Sequence, residues 1–304
     1  MNPIPLTFSL CHPFYTLLKP VNIPMKKRQT VSLVFMLFAL FSCGGKPETS
    51  AIAEKAEILD PKVDLNELTS DFFKWWTYHS NSISLSSDFV GIDELSDTLG
   101  KKQYLEKLVS GKYIPLRLAS DSGVEVYKLF QLDSSAYENI GSTIGNESMT
   151  NLKHFNMEGT PFPEFEFTDL VGNRYTNQTT QGKILILKTW FIGCVACVAE
   201  FPELNELVER YRKIDDLIFM SLALDSQAEL ENFLKKKNFE YQVVPEQKEF
   251  IMGKLDLQIY PSHLIVDQNG TIAKVVNKAS EMILFLEKEL VEKRPSSPSP
   301  TSPN

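Results

Sequence analysis

The sequence predicts an α/β domain, with a central mixed sheet flanked by helices, that follows a smaller α+β domain. Three observations predict this organisation. The apolar run at 184–187 has the length and β-branched content of a buried strand, and residues 217–224 are predicted to form the next buried strand. Apolar residues after Cys197 recur at helical spacing, so strands alternate with helices. Shorter alternating strand patterns at 113–130, arranged around a turn signal, distinguish the smaller domain.

The chain begins with segments that we expect to lie outside both domains. Residues 1–24 contain no acidic residue, and we interpret them as an upstream extension before the true start at Met25. Residues 25–43 have the basic and apolar regions of a signal peptide. The small residue before Cys43 resembles a bacterial lipobox, which implies a lipidated Cys43; a secreted protein or an uncleaved anchor is the alternative. Residues 44–60 are polar and are expected to form a tether.

The charge of the chain limits the possible partners. The net charge is −8, and all 39 acidic residues lie beyond Cys43. Such an acidic chain is a poor binder of nucleic acid and of anionic membrane surfaces. Attachment to a membrane would therefore come from the N-terminal lipid alone.

Residues 61–155 are predicted to form a small α+β domain of unknown role. We expect two helices followed by a β-hairpin, at 71–78, 101–110, 113–118 and 124–130. Gly111 closes the second helix. Trp75 and Trp76 are expected to pack in the core, because large aromatic side chains are mostly buried; contact with a partner is the alternative.

Residues 156–293 are predicted to form the α/β domain, and the Pro- and Ser-rich residues 294–304 are expected to be disordered. Pro202 is expected to kink the long helix that follows Cys197. The expected elements are an opening hairpin at 162–175, strands at 184–190, 217–224, 239–244, 263–266 and 271–276, and helices at 197–211, 226–238, 247–255 and 279–293.

The chemistry of this domain centres on Cys194 and Cys197, which lie where a strand turns into a helix. The first turn of a helix has unpaired N–H groups and the positive end of the helix dipole, so it favours a thiolate. The thiolate is the form that attacks a disulfide. We therefore expect Cys194 to be the nucleophile and the more shielded Cys197 to be the resolving thiol, with no cofactor beyond their disulfide.

A structural disulfide and a metal site are the alternative interpretations of this cysteine pair. A structural zinc site needs four ligands. The other cysteines, Cys11 and Cys43, both precede the predicted tether, and the four histidines show no ligand spacing; they are His12, His79, His154 and His263. A redox dithiol is the preferred interpretation.

Two motifs resemble the TlpA/ResA group of thioredoxin-like thiol-disulfide oxidoreductases. Residues 190–204 (WFIGCVACVAEFPEL) are similar to the group's W-x-x-x-C-x-x-C signature followed by E-x-P-x-L. Residues 260–270 (YPSHLIVDQNG) resemble its second landmark, a cis-proline loop that enters a strand and a hairpin. The resemblance covers residues 155–293 and implies a thioredoxin-like fold.

The resemblance also implies roles for individual residues. A cis Pro261, together with Tyr260 and Trp190, would help to bind the substrate chain. Glu200, one helical turn after Cys197, would handle protons at the buried cysteine, as a carboxylate tuned to titrate near neutrality. The apolar pair between the cysteines supplies no cation, which favours reduction over strong oxidation of substrates.

Two other families remain as alternatives. The domain opening is also similar to that of peroxiredoxins, although Phe191 stands where those peroxidases have a threonine. A copper chaperone of the Sco type would use both cysteines and His263. For the preferred interpretation, the expected partners are a protein or small thiol or disulfide substrate, the membrane through the lipid, and an inner-membrane electron donor.

Overall fold

A computed structural model describes residues 59–292, except Ser122. The predicted signal peptide, Cys43, the tether up to residue 58 and the C-terminal tail lie outside these residues. Within the described range, no helix combines the length and the apolar character needed to cross a membrane.

The N-terminal domain is built from helices packed on a four-stranded sheet. Its elements are α1 (Leu65–Thr69), α2 (Phe72–Ser82), β1 (Phe89–Ile92), β2 (Thr98–Leu99), α3 (Lys101–Val109), β3 (Tyr113–Leu118), β4 (Glu125–Gln131) and α4 (Glu138–Met157). The strand order is β2-β1-β4-β3, with β1 parallel to β4 and the other pairs antiparallel. The predicted helices and the predicted hairpin are confirmed.

The two neighbouring tryptophans of α2 differ in burial. Trp75 is fully buried, as predicted, and packs in the aromatic core of the domain with Tyr104 and Tyr127. Trp76 is 41% exposed, so the prediction that it lies in the core is wrong. The two residues are adjacent on one helix and project about 100° apart, so only one of them can face the sheet.

The sequence did not reveal helix α4, which has 20 residues. Its glycines make it a poor helix by propensity, yet they allow close packing. A Cβ at Gly141 would lie 2.5 Å from the carbonyl oxygen of Gly111, and one at Gly145 would lie 3.1 Å from that of Val109. The helix therefore exists because of its tertiary contact with the end of α3. It ends at Met157, just beyond the predicted domain boundary.

The second domain has the predicted thioredoxin-like fold. Its elements are β5 (Glu166–Thr168), β6 (Arg174–Thr176), β7 (Ile184–Trp190), α5 (Val195–Ala199), α6 (Phe201–Tyr211), β8 (Leu217–Ala223), α7 (Gln227–Leu234), β9 (Gln242–Val244), a π-helical turn (Phe250–Lys254), β10 (Ser262–Val266), β11 (Ile272–Val276) and α8 (Ala279–Glu292). The central sheet has the order β11-β10-β7-β8-β9. Strands β7, β8 and β9 are parallel, while β10 and β11 are antiparallel to their neighbours. The mixed sheet is therefore confirmed.

Strand β7 occupies the centre of this sheet, and apolar clusters cover both of its faces. Leu185 and Leu187 pack on one side and Ile186 on the other. Burial on both faces explains why the strand reads as a continuous apolar run rather than as an alternating pattern.

The expected kink at Pro202 is instead a break between two helices. Helix α5 ends at Ala199, and α6 begins at Phe201 with Pro202 in its first turn. A first-turn proline loses no hydrogen bond, because the N–H groups there have no intrahelical acceptor. Glu200 is consequently the junction residue between the helix that carries the cysteines and the helix that follows.

Candidate active site

Cys194 and Cys197 form a disulfide at the start of α5, with an S–S distance of 2.03 Å. Cys194 is the N-cap of this helix, and its Sγ accepts a hydrogen bond of 3.1 Å from the backbone N–H of Cys197. Cys194 is 8% exposed, whereas Cys197 is fully buried. An N–H aimed at the Cys194 sulfur would stabilise its thiolate after reduction. The structure therefore gives the two cysteines the unequal access that their predicted roles require.

Two hydrogen bonds from backbone N–H groups hold the loop that precedes Cys194. The backbone N–H of Ile192 donates to Oδ2 of Asp225 at 2.8 Å, and the N–H of Cys194 donates to the carbonyl oxygen of Phe191 at 3.0 Å. Asp225 follows strand β8, about 30 residues further along the chain, so no local pattern predicts this contact. These bonds hold the dithiol at the carboxyl end of β7.

The Pro261 loop lies against this site. The peptide bond between Tyr260 and Pro261 is cis, as the resemblance implied. The Tyr260 ring packs edge-on against Phe191, with ring centroids 5.5 Å apart. Asn277 donates from Nδ2 to the Pro261 carbonyl oxygen at 2.9 Å. Phe191 and Asn277 are thus site residues that the sequence motifs did not assign.

Glu200 lies at the centre of a polar cluster beneath the cysteine helix. Its Oε2 accepts hydrogen bonds from Nζ of Lys188 and, at 3.0 Å, from Nε2 of His263. Its Oε1 accepts from the backbone N–H of Ala279 at 2.9 Å. The Lys188 and His263 side chains are both fully buried. One carboxylate therefore joins the α5–α6 junction to strands β7 and β10 and to the start of α8.

Residues 159–275 match the AhpC/TSA family. ResA, a thiol-disulfide oxidoreductase of Bacillus cereus, is 28% identical over 120 residues, which cover 40% of this chain and 68% of ResA. ResA of Bacillus subtilis is 24% identical over 137 residues, or 45% of this chain and 76% of that protein. The second domain is a TlpA/ResA-like redoxin. The protein that carries it is a thiol-disulfide oxidoreductase.

Solved structures are also similar to part of this chain. The thioredoxin domain of a thiol-disulfide oxidoreductase from Bacteroides vulgatus has a TM-score of 0.40 and 18% identity, and the match covers 43% of this chain and 96% of that one. An exposed lipoprotein thioredoxin from Streptococcus pneumoniae has a TM-score of 0.37 and 22% identity, covering 42% and 99% of the two chains.

The pKa of Glu200 in the polar cluster differs from the value near neutrality that the resemblance implied. Burial alone would raise the pKa of this carboxyl, but the hydrogen bond and charge of His263 and of Lys188 outweigh burial and lower the pKa to about 2. Burial lowers the pKa of His263, and the hydrogen bond and charge of Glu200 oppose that shift. The prediction that Glu200 titrates near neutrality is therefore wrong, because its partners keep it ionised.

Lys188 is the cluster residue that sequence reasoning missed. It stands inside the otherwise apolar run of β7, and burial lowers the pKa of its ammonium while Glu200 opposes that shift. A buried lysine is rare unless it is paired. A single lysine within a strand that is buried on both faces was the signal that could have predicted a buried acidic partner.

Trp190 does not lie at the surface of the redoxin domain. It is fully buried and packs edge-on against Phe201, with centroids 5.0 Å apart. The prediction that Trp190 binds substrate is therefore wrong. Phe191, the next residue, is partly exposed and contacts Tyr260, so Phe191 rather than Trp190 lies beside the Pro261 loop.

His263 is engaged in the cluster rather than presented to a metal. Its Nε2 contacts Glu200, and in the part of the chain that the structure describes no group of three or more His, Cys, Asp or Glu side chains is arranged to hold a metal ion. The hydrogen bond between Nε2 and Glu200 engages this imidazole and favours the dithiol over the Sco-type alternative.

Proposed function

We propose that this protein is a lipid-anchored, periplasm-facing oxidoreductase that reduces disulfides in other molecules. The observation that carries the proposal is the unequal pair at the start of α5, with Cys194 8% exposed and Cys197 fully buried in the same disulfide. A substrate sulfur can approach the first cysteine but not the second. This arrangement fits one attacking thiol and one resolving thiol.

The reaction that follows from this geometry has two exchange steps. In the reduced protein, the Cys194 thiolate attacks one sulfur of the substrate disulfide, and the other substrate sulfur leaves as a thiolate. The buried Cys197 then loses its proton and attacks Sγ of Cys194, which releases the second substrate sulfur and forms the Cys194–Cys197 disulfide. Two electrons pass to the substrate, whose two sulfurs leave as thiols once protonated.

The Pro261 loop supplies the substrate-docking surface in this proposal. Pro261 has no N–H, so the backbone groups beside it stay available to an extended chain. Tyr260 is partly exposed, and together with Phe191 it forms an aromatic flank next to Cys194. A polypeptide or a small disulfide could lie between this flank and the start of α5.

Glu200 acts in this account as a positioning residue and not as a proton carrier. It remains an anion throughout the neutral range, because its pKa lies near 2. Its hydrogen bonds to Lys188, His263 and Ala279 fix the helix that carries Cys197 against the sheet. The proton of Cys197 must therefore leave to another base or to solvent.

The reducing direction rests on the residues between the cysteines. Val195 and Ala196 are apolar and exposed, so neither can stabilise the Cys194 thiolate with a positive charge. Strong stabilisation of the thiolate is what makes a dithiol a strong oxidant. An electron donor at the inner membrane would return the disulfide to its reduced form after each cycle.

Trapping of the intermediate tests the exchange mechanism. A Cys197→Ser variant cannot resolve the mixed disulfide, so incubation with a disulfide substrate should yield a covalent adduct at Cys194 that a reducing agent removes. Non-reducing electrophoresis and mass spectrometry of the tryptic peptide detect it. The matched Cys194→Ser variant should form none. An adduct on Cys197 in that variant would contradict the assigned roles.

Lipid anchoring is tested by the Cys43→Ala variant expressed in a bacterium that processes lipoproteins. The wild-type protein should sediment with membranes and incorporate labelled fatty acid. The variant should lose the label and move to the soluble envelope fraction. Fatty-acid label that persists in Cys43→Ala would contradict lipidation at this cysteine.

A further inference from the structure

A cavity of about 360 Å³ lies where the N-terminal domain meets the redoxin domain. The N-terminal domain contributes Trp76 and Glu147 to its wall, and the redoxin domain contributes Ile259, Asn277 and Glu281. This space, called the junction cavity here, lies in the size range of pockets that take small ligands or single side chains. None of the proposed exchange chemistry uses it.

The junction cavity adjoins the substrate-docking loop. Ile259 is 46% exposed and comes directly before Tyr260 and Pro261. Asn277 lines the cavity and also donates to the Pro261 carbonyl oxygen at 2.9 Å. The loop therefore has Phe191 and the dithiol on its Tyr260 side and the junction cavity on its Ile259 side. A polypeptide that lies across the loop would place residues near its own cysteine at the cavity.

The charged and aromatic side chains of the cavity wall are Trp76, the two carboxylates Glu147 and Glu281, and one lysine, Lys278. Trp76 is 41% exposed and stacks on His79, with centroids 6.1 Å apart. Glu147 contacts Nε2 of His79 through Oε2 at 2.8 Å, and Glu281 accepts a hydrogen bond of 2.9 Å from Ser84 through Oε1. These contacts orient both carboxylates. The two carboxylates outnumber the one lysine, and an exposed indole beside them adds to a wall that suits a cation.

Contacts between the two domains hold the cavity in place. The Ser84–Glu281 hydrogen bond joins the loop after α2 to α8. Lys274 on β11 pairs with Asp88, the residue before β1, at 3.8 Å. The cavity wall is therefore built before a ligand arrives, and such preorganisation lowers the entropic cost of binding.

We propose that the junction cavity binds an arginine or lysine side chain of a polypeptide substrate, close in sequence to the cysteine that reacts with Cys194. The N-terminal domain then selects substrates for the redoxin domain. This inference rests on the proposed function, because it assigns a substrate feature to the same exchange reaction. The charge complementarity of the cavity and its continuity with the Pro261 loop carry the argument.

The test compares two disulfide-linked peptides that differ at one residue. One peptide carries arginine three residues from its cysteine, and the other carries citrulline, which keeps the shape without the charge. With dithiothreitol as donor, the wild-type protein should reduce the arginine peptide with a kcat/KM about tenfold higher, mainly through a lower KM. Glu147→Gln combined with Glu281→Gln should bring this ratio to about 1.

Further variants make the result decisive. Glu206→Gln, an exposed change on α6, should keep the ratio of the wild type. Trp76→Leu should also lower the ratio, and it replaces the double variant if that protein does not fold. A wild-type ratio near 1, or a tenfold ratio that survives both cavity variants, would overturn the inference. Failure of the wild type to reduce even a small disulfide such as Ellman's reagent would instead overturn the proposed function, and this inference with it.

Discussion

Cys194→Ser is expected to abolish catalytic disulfide exchange, with a loss of at least about 10³-fold in turnover. A serine hydroxyl is not ionised at neutral pH and cannot form a disulfide with the substrate. The buried Cys197 cannot replace it, because its side chain has no exposed surface. The loss is measured as the rate at which a disulfide substrate releases thiol while the concentration of the reductant is held constant.

Cys197→Ser provides the informative comparison. This variant keeps the attacking thiol, so each protein molecule should release one substrate thiol. The reaction should then stop, because the mixed disulfide is not resolved. Val195→Ala is a suitable control, because Val195 is 84% exposed and carries no exchange chemistry. Turnover by Cys194→Ser within tenfold of the wild type would contradict the assignment of the nucleophile.

Glu200→Gln is expected to destabilise the fold by about 3 kcal/mol near neutral pH. The substitution leaves the fully buried Lys188 without its anionic partner, and removing one member of a buried ion pair costs more than removing both. Urea unfolding followed by circular dichroism measures the change. Glu206→Gln, an exposed change on the helix that follows Glu200, should alter the free energy of unfolding by less than about 0.5 kcal/mol.

A double-mutant cycle measures the interaction energy between Lys188 and Glu200. Lys188→Met should also destabilise the protein, because Glu200 then loses its buried cation. The combined variant should be more stable than the sum of the two single effects predicts. Additive effects would contradict a direct interaction between Lys188 and Glu200.

The lowered pKa of the Glu200 carboxyl makes the stability of the folded protein depend on pH. Its pKa is about 2 in the folded protein against an ordinary value of 4.5. The folded state therefore gains stability from the ionised form above pH 4.5, and this gain is lost as the pH falls from 4.5 towards 2. The difference in unfolding free energy between wild type and Glu200→Gln should shrink over that interval. A constant difference would contradict the lowered pKa.

The parts of the site that the sequence predicted are those that local spacing controls. Cys194, Cys197 and Glu200 are spaced three residues apart along one short helix and its two caps, and Pro261 directly precedes its strand. Lys188, Asp225 and Asn277 meet these residues only through the packing of distant segments. Of the three, only Lys188 had a local signal, as a lone lysine in a buried strand.

The errors also have physical causes. Strand β7 is buried on both faces, so its sequence could not show that Trp190 lies inward while Phe191 reaches the surface. Helix α4 contains glycines that lower its propensity and are explained only by the contact with the end of α3. The charge state of Glu200 depends on a lysine and a histidine from two other elements, and the motif around Glu200 contains neither.

The most direct test of the account is the equilibrium of the Cys194–Cys197 pair against thiol–disulfide buffers, read by alkylation of free thiols. The account predicts a reversible two-electron couple with a midpoint near or below about −270 mV, the value of thioredoxin. A midpoint near about −120 mV, the value of the oxidant DsbA, would contradict the reducing direction. The absence of any reversible couple would contradict the redox dithiol itself.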